Sequence, residues 1–117
     1  MTTKILMLED DVGLGESIQA ALDVRGYAVT WAKTIDEATG ILASDDGFAL
    51  VLCDYELPDG VGTSFLRNVN GPKTILWSGL DRTKEAGAAG VEPDVIMVKH
   101  ASIECIEKIG ELTGHDH

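Results

Sequence analysis

The stretch FALVLCDYELPDG, Phe48 to Gly60, decides how the chain folds. It is apolar from Phe48 to Cys53, ends on a carboxylate at Asp54 and turns through Pro58, Asp59 and Gly60. Continuous rather than alternating apolarity describes a strand buried on both faces, the habit of parallel sheets covered by helices. An ionised carboxylate at the tip of such a strand costs several kcal/mol unless it is paired or bound to a metal. A compensating group is therefore expected beside Asp54.

Three further runs share this character: KILML from Lys4 to Leu8, TILW from Thr74 to Trp77 and VIMV from Val95 to Val98. A fifth, AVTWA from Ala28 to Ala32, alternates more and suits a place nearer an edge. Helical spacing separates them. Leu14, Ile18 and Leu22 form one stripe, Ile35, Ala38 and Leu42 nearly another, and Ile103, Ile106, Ile109 and Leu112 a third. Gly26 stands where a C-cap would close the first helix. The segment from Asp81 to Gly90 is the weakest helix, with Gly87 inside it and few large apolar residues, so thin packing is expected there. A β-α order repeated along the chain implies right-handed crossovers and a doubly wound α/β fold, its parallel sheet covered on both faces.

With 117 residues the chain has the size of one compact domain, read here as residues 1–117 with a frayed tail from about residue 113. A formal net charge of −11 repels phosphate backbones and anionic lipid, which argues against direct nucleic-acid binding by this segment and against a membrane surface. The apolar stretch near the N-terminus is interrupted by Glu9, Asp10 and Asp11, so it is neither a signal peptide nor a span. Cys53 and Cys105 have neither disulfide-framework density nor metal-ligand spacing and read as buried small hydrophobes, which fits a reducing cytoplasm.

In open parallel sheets, ligands gather beyond the carboxyl ends of the strands. Those ends carry Glu9, Asp10 and Asp11 after the first strand, Asp54 after the third, Ser78 after the fourth and Lys99 after the fifth. Clustered carboxylates repel one another and call for a counter-ion, and Mg²⁺ suits a few carboxylates together with phosphate oxygens. A carboxylate beside such a cation can attack phosphorus while hydroxyl and ammonium donors neutralise the equatorial oxygens. Asp54 is thus a candidate phosphoryl acceptor.

These residues resemble a known family. ILMLEDD, LVLCDYELPDG, TILWSG and VIMVK are similar, in order, to the strand ends of response-regulator receiver domains of two-component signal transduction, over nearly the whole chain. The resemblance implies a flavodoxin-like (βα)5 fold with strand order 2-1-3-4-5. It implies that Asp54 takes the phosphoryl group and that Mg²⁺ is held by Asp10, Asp54, the backbone carbonyl of Glu56 and, through water, Glu9. Ser78 would hydrogen-bond the phosphoryl oxygens and Lys99 would pair with them. The implied donor is a phosphohistidine on a kinase or phosphotransfer protein, and the implied outcome is a conformational switch acting on an unspecified output or target. The resemblance also implies a phosphoacceptor that catalyses its own phosphorylation and dephosphorylation, not a turnover enzyme. Two residues depart from the family pattern: His100 stands where proline usually follows the lysine, and Ile96 where many members have an aromatic switch residue.

Other readings compete. Asp10 and Asp11 suit helix N-caps, a role assigned here to Asp11 alone. The turn Leu57 to Gly60 is served by Asp59, which leaves Asp54 free for chemistry. Ser78 alone would satisfy a strand end, and Lys99 alone would be a surface charge. Trp31 and Trp77 read as packing, His100 as an exposed loop residue, and His115 and His117 as part of the tail. A pseudo-receiver, an acidic interaction module without phosphotransfer, would keep the fold. A haloacid-dehalogenase-type phosphatase would need an aspartate at Glu56 and a cap domain.

Overall fold

A computed structural model of the chain describes residues 2–99 and 102–114. Its core is a parallel sheet of β1 (Lys4–Leu8), β2 (Ala28–Ala32), β3 (Leu50–Asp54), β6 (Lys73–Ser78) and β7 (Val95–Val98), in the order β2-β1-β3-β6-β7. Counting only these strands, the order is 2-1-3-4-5, as the resemblance implied, and the alternating run AVTWA lies at an edge. A hairpin of β4 (Glu56–Leu57) and β5 (Gly60–Val61) follows β3 and was not legible as strand.

Successive strand residues point to opposite faces, and this sorts the core into two layers. Ile5, Met7, Leu50, Leu52, Ile75 and Trp77 pack on one side. They meet Ile18 and Leu22 of α1 (Val12–Val24) and Cys105, Ile106 and Ile109 of α5 (Ser102–Thr113). Leu6, Leu8, Val51, Cys53 and Leu76 face the other way, against Ala38 of α2 (Ile35–Ser44), Phe65 and Leu66 of α3 (Gly62–Leu66) and Ala86 of α4 (Thr83–Ala89). The two cysteines are buried and free in opposite layers. The α5 stripe needs one correction: Ile103 is exposed, and Cys105 takes the core position beside Ile106.

Helix ends follow local chemistry. The Asp11 carboxylate accepts from the Leu14 amide at 3.1 Å and caps α1. At the other end Gly26, at φ 90°, stands just beyond the cap residue Arg25. Its N–H donates to Asp23 O, and that of Tyr27 to Leu22 O, the paired bonds of a Schellman motif. Only glycine adopts that φ cheaply. Helix α3 has five residues and no side-chain cap, so no stripe announced it. Helix α4 buries only Ala86, in keeping with the thin packing expected of it. Helix α5 runs through Thr113, where the frayed tail is expected to begin, and residues 115–117 lie outside the described residues, as do His100 and the Lys99–His100 peptide bond. Among the described residues no helix is long and apolar enough to cross a membrane.

Asp59 does more than serve its turn. Its carboxylate accepts the amides of Ile35 and Asp36, both at 2.9 Å, at the N-terminus of α2. Thr34 accepts the next free amide, that of Glu37. The hairpin loop is thereby tied to a helix distant in sequence, and these bonds hold the Asp59 carboxyl below the usual carboxylate range. A lowered folded-state pKa adds stability above the unfolded value, lost as pH falls through the folded one. Asp59→Ala is expected to lower the urea midpoint at neutral pH, with Asp59→Asn intermediate because one acceptor oxygen remains. Equal midpoints for all three chains would contradict the role.

Candidate functional site

Parallel register brings the strand ends to one edge. Leu8 pairs with Cys53, Asp54 with Trp77 and Ser78 with Val98, so the residues just beyond them share a crevice. Backbone bonds continue the alignment past the strands, Glu9 N–H to Ala32 O at 3.0 Å and Lys99 N–H to Ser78 O at 2.7 Å.

Within the crevice, Glu9, Asp10 and Asp54 offer carboxylate oxygens that lie within 4.8 Å of one another. Glu9 is 1% exposed and Asp54 6%, whereas Asp10 is exposed. The Lys99 ammonium bridges the two buried acids, 2.7 Å from Glu9 Oε1 and 3.1 Å from Asp54 Oδ2. Glu9 Oε2 accepts the Asp11 amide at 3.1 Å. Both Glu9 oxygens are thus engaged, while the hydrogen bond that Asp54 Oδ1 accepts among the described residues, from the Glu56 amide, is long at 3.4 Å. An all-oxygen donor set with an exposed and a weakly engaged carboxylate fits a hard divalent cation such as Mg²⁺.

Burial first, and repulsion from Glu9 second, raise the Asp54 pKa, Lys99 partly offsets them, and the net value is about 6. For Lys99, burial acts to lower the pKa, but the hydrogen bond and charge of Glu9, with the charge of Asp54, outweigh it and the net direction is up. Cys53, adjacent to the acceptor candidate, is driven strongly toward the thiol by burial and by the charges of Asp54 and Glu9, so it does not compete as a nucleophile. Burial likewise pushes the Cys105 thiol up to about 12.

Ser78 is buried at the end of β6, and its Oγ accepts from Arg82 Nε at 3.1 Å. Arg82 was not singled out in the sequence, where a lone arginine four residues past a serine carries no signal. Its guanidinium also reaches Glu85 at 3.0 Å and Glu56 at 3.3 Å and lies over the Tyr55 ring, 4.2 Å from the centroid. Trp31 packs as expected but has a second task, because its indole N–H donates to the Glu9 carbonyl at 2.7 Å and holds that backbone in place. Its ring lies where a Cβ on Gly15 would sit, 2.0 Å from the nearest ring carbon, so α1 approaches β2 only through that glycine. Trp77 is buried beneath Lys99, whose ammonium is 5.4 Å from its ring centroid.

Fold and site together define a class: a doubly wound, flavodoxin-like α/β domain with an acid cluster, a lysine and a serine at the carboxyl edge of its sheet. No family model matches the chain. The swarming motility regulation protein RssB of Serratia marcescens is 43% identical over 58 residues, 50% of this chain and 26% of that protein. Among solved structures, a CheY-like response-regulator receiver domain from Methanospirillum hungatei is 28% identical with a TM-score of 0.84, covering 98% of this chain and 97% of that one. The non-phosphorylated HemR receiver domain from Leptospira biflexa is 26% identical with a TM-score of 0.85, covering 99% and 98%. The chain is a response-regulator receiver domain. It spans between 26% and 35% of the length of the curated relatives it matches.

Proposed function

We propose that the chain is a phosphorylatable switch whose acceptor is Asp54, acting in the cytoplasm on an output or target protein. The observation that carries this is the buried Asp54 carboxylate at the end of the central strand, paired with Lys99 inside an acid cluster. An Asp54 oxygen attacks phosphorus, the bond from phosphorus to the donor's imidazole nitrogen breaks, and the imidazole leaves as the nitrogen regains a proton. The product is an acyl phosphate on Asp54. Ser78 donates its hydroxyl to a phosphoryl oxygen, and the Lys99 ammonium, already 3.1 Å from Asp54, neutralises another. Asp10, Asp54, the Glu56 carbonyl and, through water, Glu9 would hold Mg²⁺, which supplies charge neutralisation at the transferring group when bound. The engagement of both Glu9 oxygens supports the water-mediated role for Glu9.

The donor is a phosphohistidine on a kinase or phosphotransfer protein, and the chain works as a single domain that is modified rather than as a turnover enzyme. Glu56, exposed and paired with Arg82, is not the aspartate acid that a haloacid-dehalogenase mechanism requires. The test supplies a small phosphodonor with Mg²⁺ and follows labelling of the intact chain. One acid-stable, base-labile phosphoryl group is expected per molecule, and none in Asp54→Ala. Undiminished labelling of that variant would remove Asp54 from the role.

A further inference from the structure

We propose that Arg82 couples a phosphoryl group on Asp54 to helix α4. The inference rests on Asp54 being the acceptor and adds the route by which its modification is read.

The Arg82 side chain is only 13% exposed and ties together three parts of the rim. Its Nε donates to Ser78 at the end of β6, its Nη2 to Glu56 beyond β3, and its Nη1 to Glu85 in the first turn of α4. The Tyr55 ring supports the guanidinium from below. These holds are unequal. Ser78 is buried, while the Glu56 side chain is 77% exposed, so the Glu56 pair is screened by water and contributes little. A phosphoryl group on Asp54 adds a charge of about −1.5 to −2, two residues from Glu56 and one strand over from Ser78. That anion competes with Glu56 for the guanidinium and wins, because an arginine fork binds a phosphoryl group through charge-assisted bonds.

Helix α4 follows because Arg82 is its N-cap residue. Arg82 makes no side-chain cap bond to the helix, and the Thr83 amide is held instead by Asp81 at 2.9 Å. With Ala86 its only buried residue, α4 has little packing to resist a pull on its first turn.

The experiment uses the whole chain with Mg²⁺ and beryllium fluoride as a phosphoryl mimic, reading the α4 amide resonances, beside phosphodonor labelling. In Arg82→Gln, labelling of Asp54 is expected to persist while the α4 response falls about fivefold. Glu56→Gln is expected to shift half-saturation to lower mimic concentration, and this shift should vanish in the Arg82→Gln background. Two variants that break one ion pair thus act on different quantities, one lowering the size of the α4 response and the other the mimic concentration it needs, and they act non-additively, which a merely structural pair would not do. An undiminished α4 response in Arg82→Gln, or an equal Glu56→Gln shift in both backgrounds, overturns the proposal. If Arg82→Gln does not fold, Arg82→Lys, which keeps the charge and loses the fork, is expected to give the same split, and failure to do so overturns it equally. A wild-type chain that takes neither phosphoryl group nor mimic removes the acceptor reading, and this inference with it.

Discussion

Lys99→Met is expected to destabilise the metal-free domain by about 3 kcal/mol near neutral pH, because it strands two buried carboxylates. Glu9 is 1% exposed and would keep only the Asp11 amide, while Asp54, 6% exposed, would face Glu9 without a cation between them. The pH dependence has a definite sign. Asp54 in the wild type titrates at about 6, above the ordinary carboxylate value, so its ionisation opposes folding. That penalty is absent below the unfolded pKa near 4, grows as pH rises through the window, and is complete above the folded value. Removing Lys99 takes away a lowering influence and moves the upper end of the window higher. The deficit of Lys99→Met should therefore be large at about pH 8, shrink at about pH 5, and be partly relieved by added Mg²⁺. Urea midpoints at both pH values decide it. A variant as stable as wild type at the higher pH would mean that the acids are solvated rather than paired.

Gly62→Ala carries the second large effect, expected to cost about 3 kcal/mol through overpacking against main chain. A Cβ at Gly62 would stand 2.0 Å from the Asp54 carbonyl oxygen and 2.9 Å from Cys53 Sγ. The first contact is with backbone and cannot be relieved by a rotamer change. The Gly62 N–H also donates to Tyr55 O at 2.6 Å, so α3 is pressed against the strand that carries the acceptor. Relief of the clash must move either α3 or Asp54, and phosphodonor labelling should fall together with stability. Gly40→Ala serves as the control, since nothing lies within 4 Å of a Cβ at that helical position. It is expected to be neutral or slightly stabilising. Similar urea midpoints for the two alanine variants would contradict the close approach at Gly62.

Much of the site was legible because the sheet is parallel and its strands end on polar residues. Once KILML, ALVLC, TILW and VIMV are read as buried strands, the next residues must emerge along one edge, which brings Glu9, Asp10, Asp54, Ser78 and Lys99 together. Helices α1 and α2 and most of α5 were legible from apolar spacing, and the caps from Asp11 and Gly26. Arg82, the second task of Trp31 and the α2 cap from Asp59 were not, because each depends on a partner distant in sequence or on a loop path that no local pattern encodes.

The amino-acid sequence by itself determined the strands of the main sheet, their parallel arrangement and the identity of the acids at their tips, because periodicity and burial act locally along the chain. Only the tertiary structure decided how charge is shared there: that Lys99 binds Glu9 and Asp54 together, that Asp10 stays exposed, and that Arg82 links Ser78 to Glu56. Electrostatic pairing follows distance and burial in space, and neither quantity is written in the order of residues.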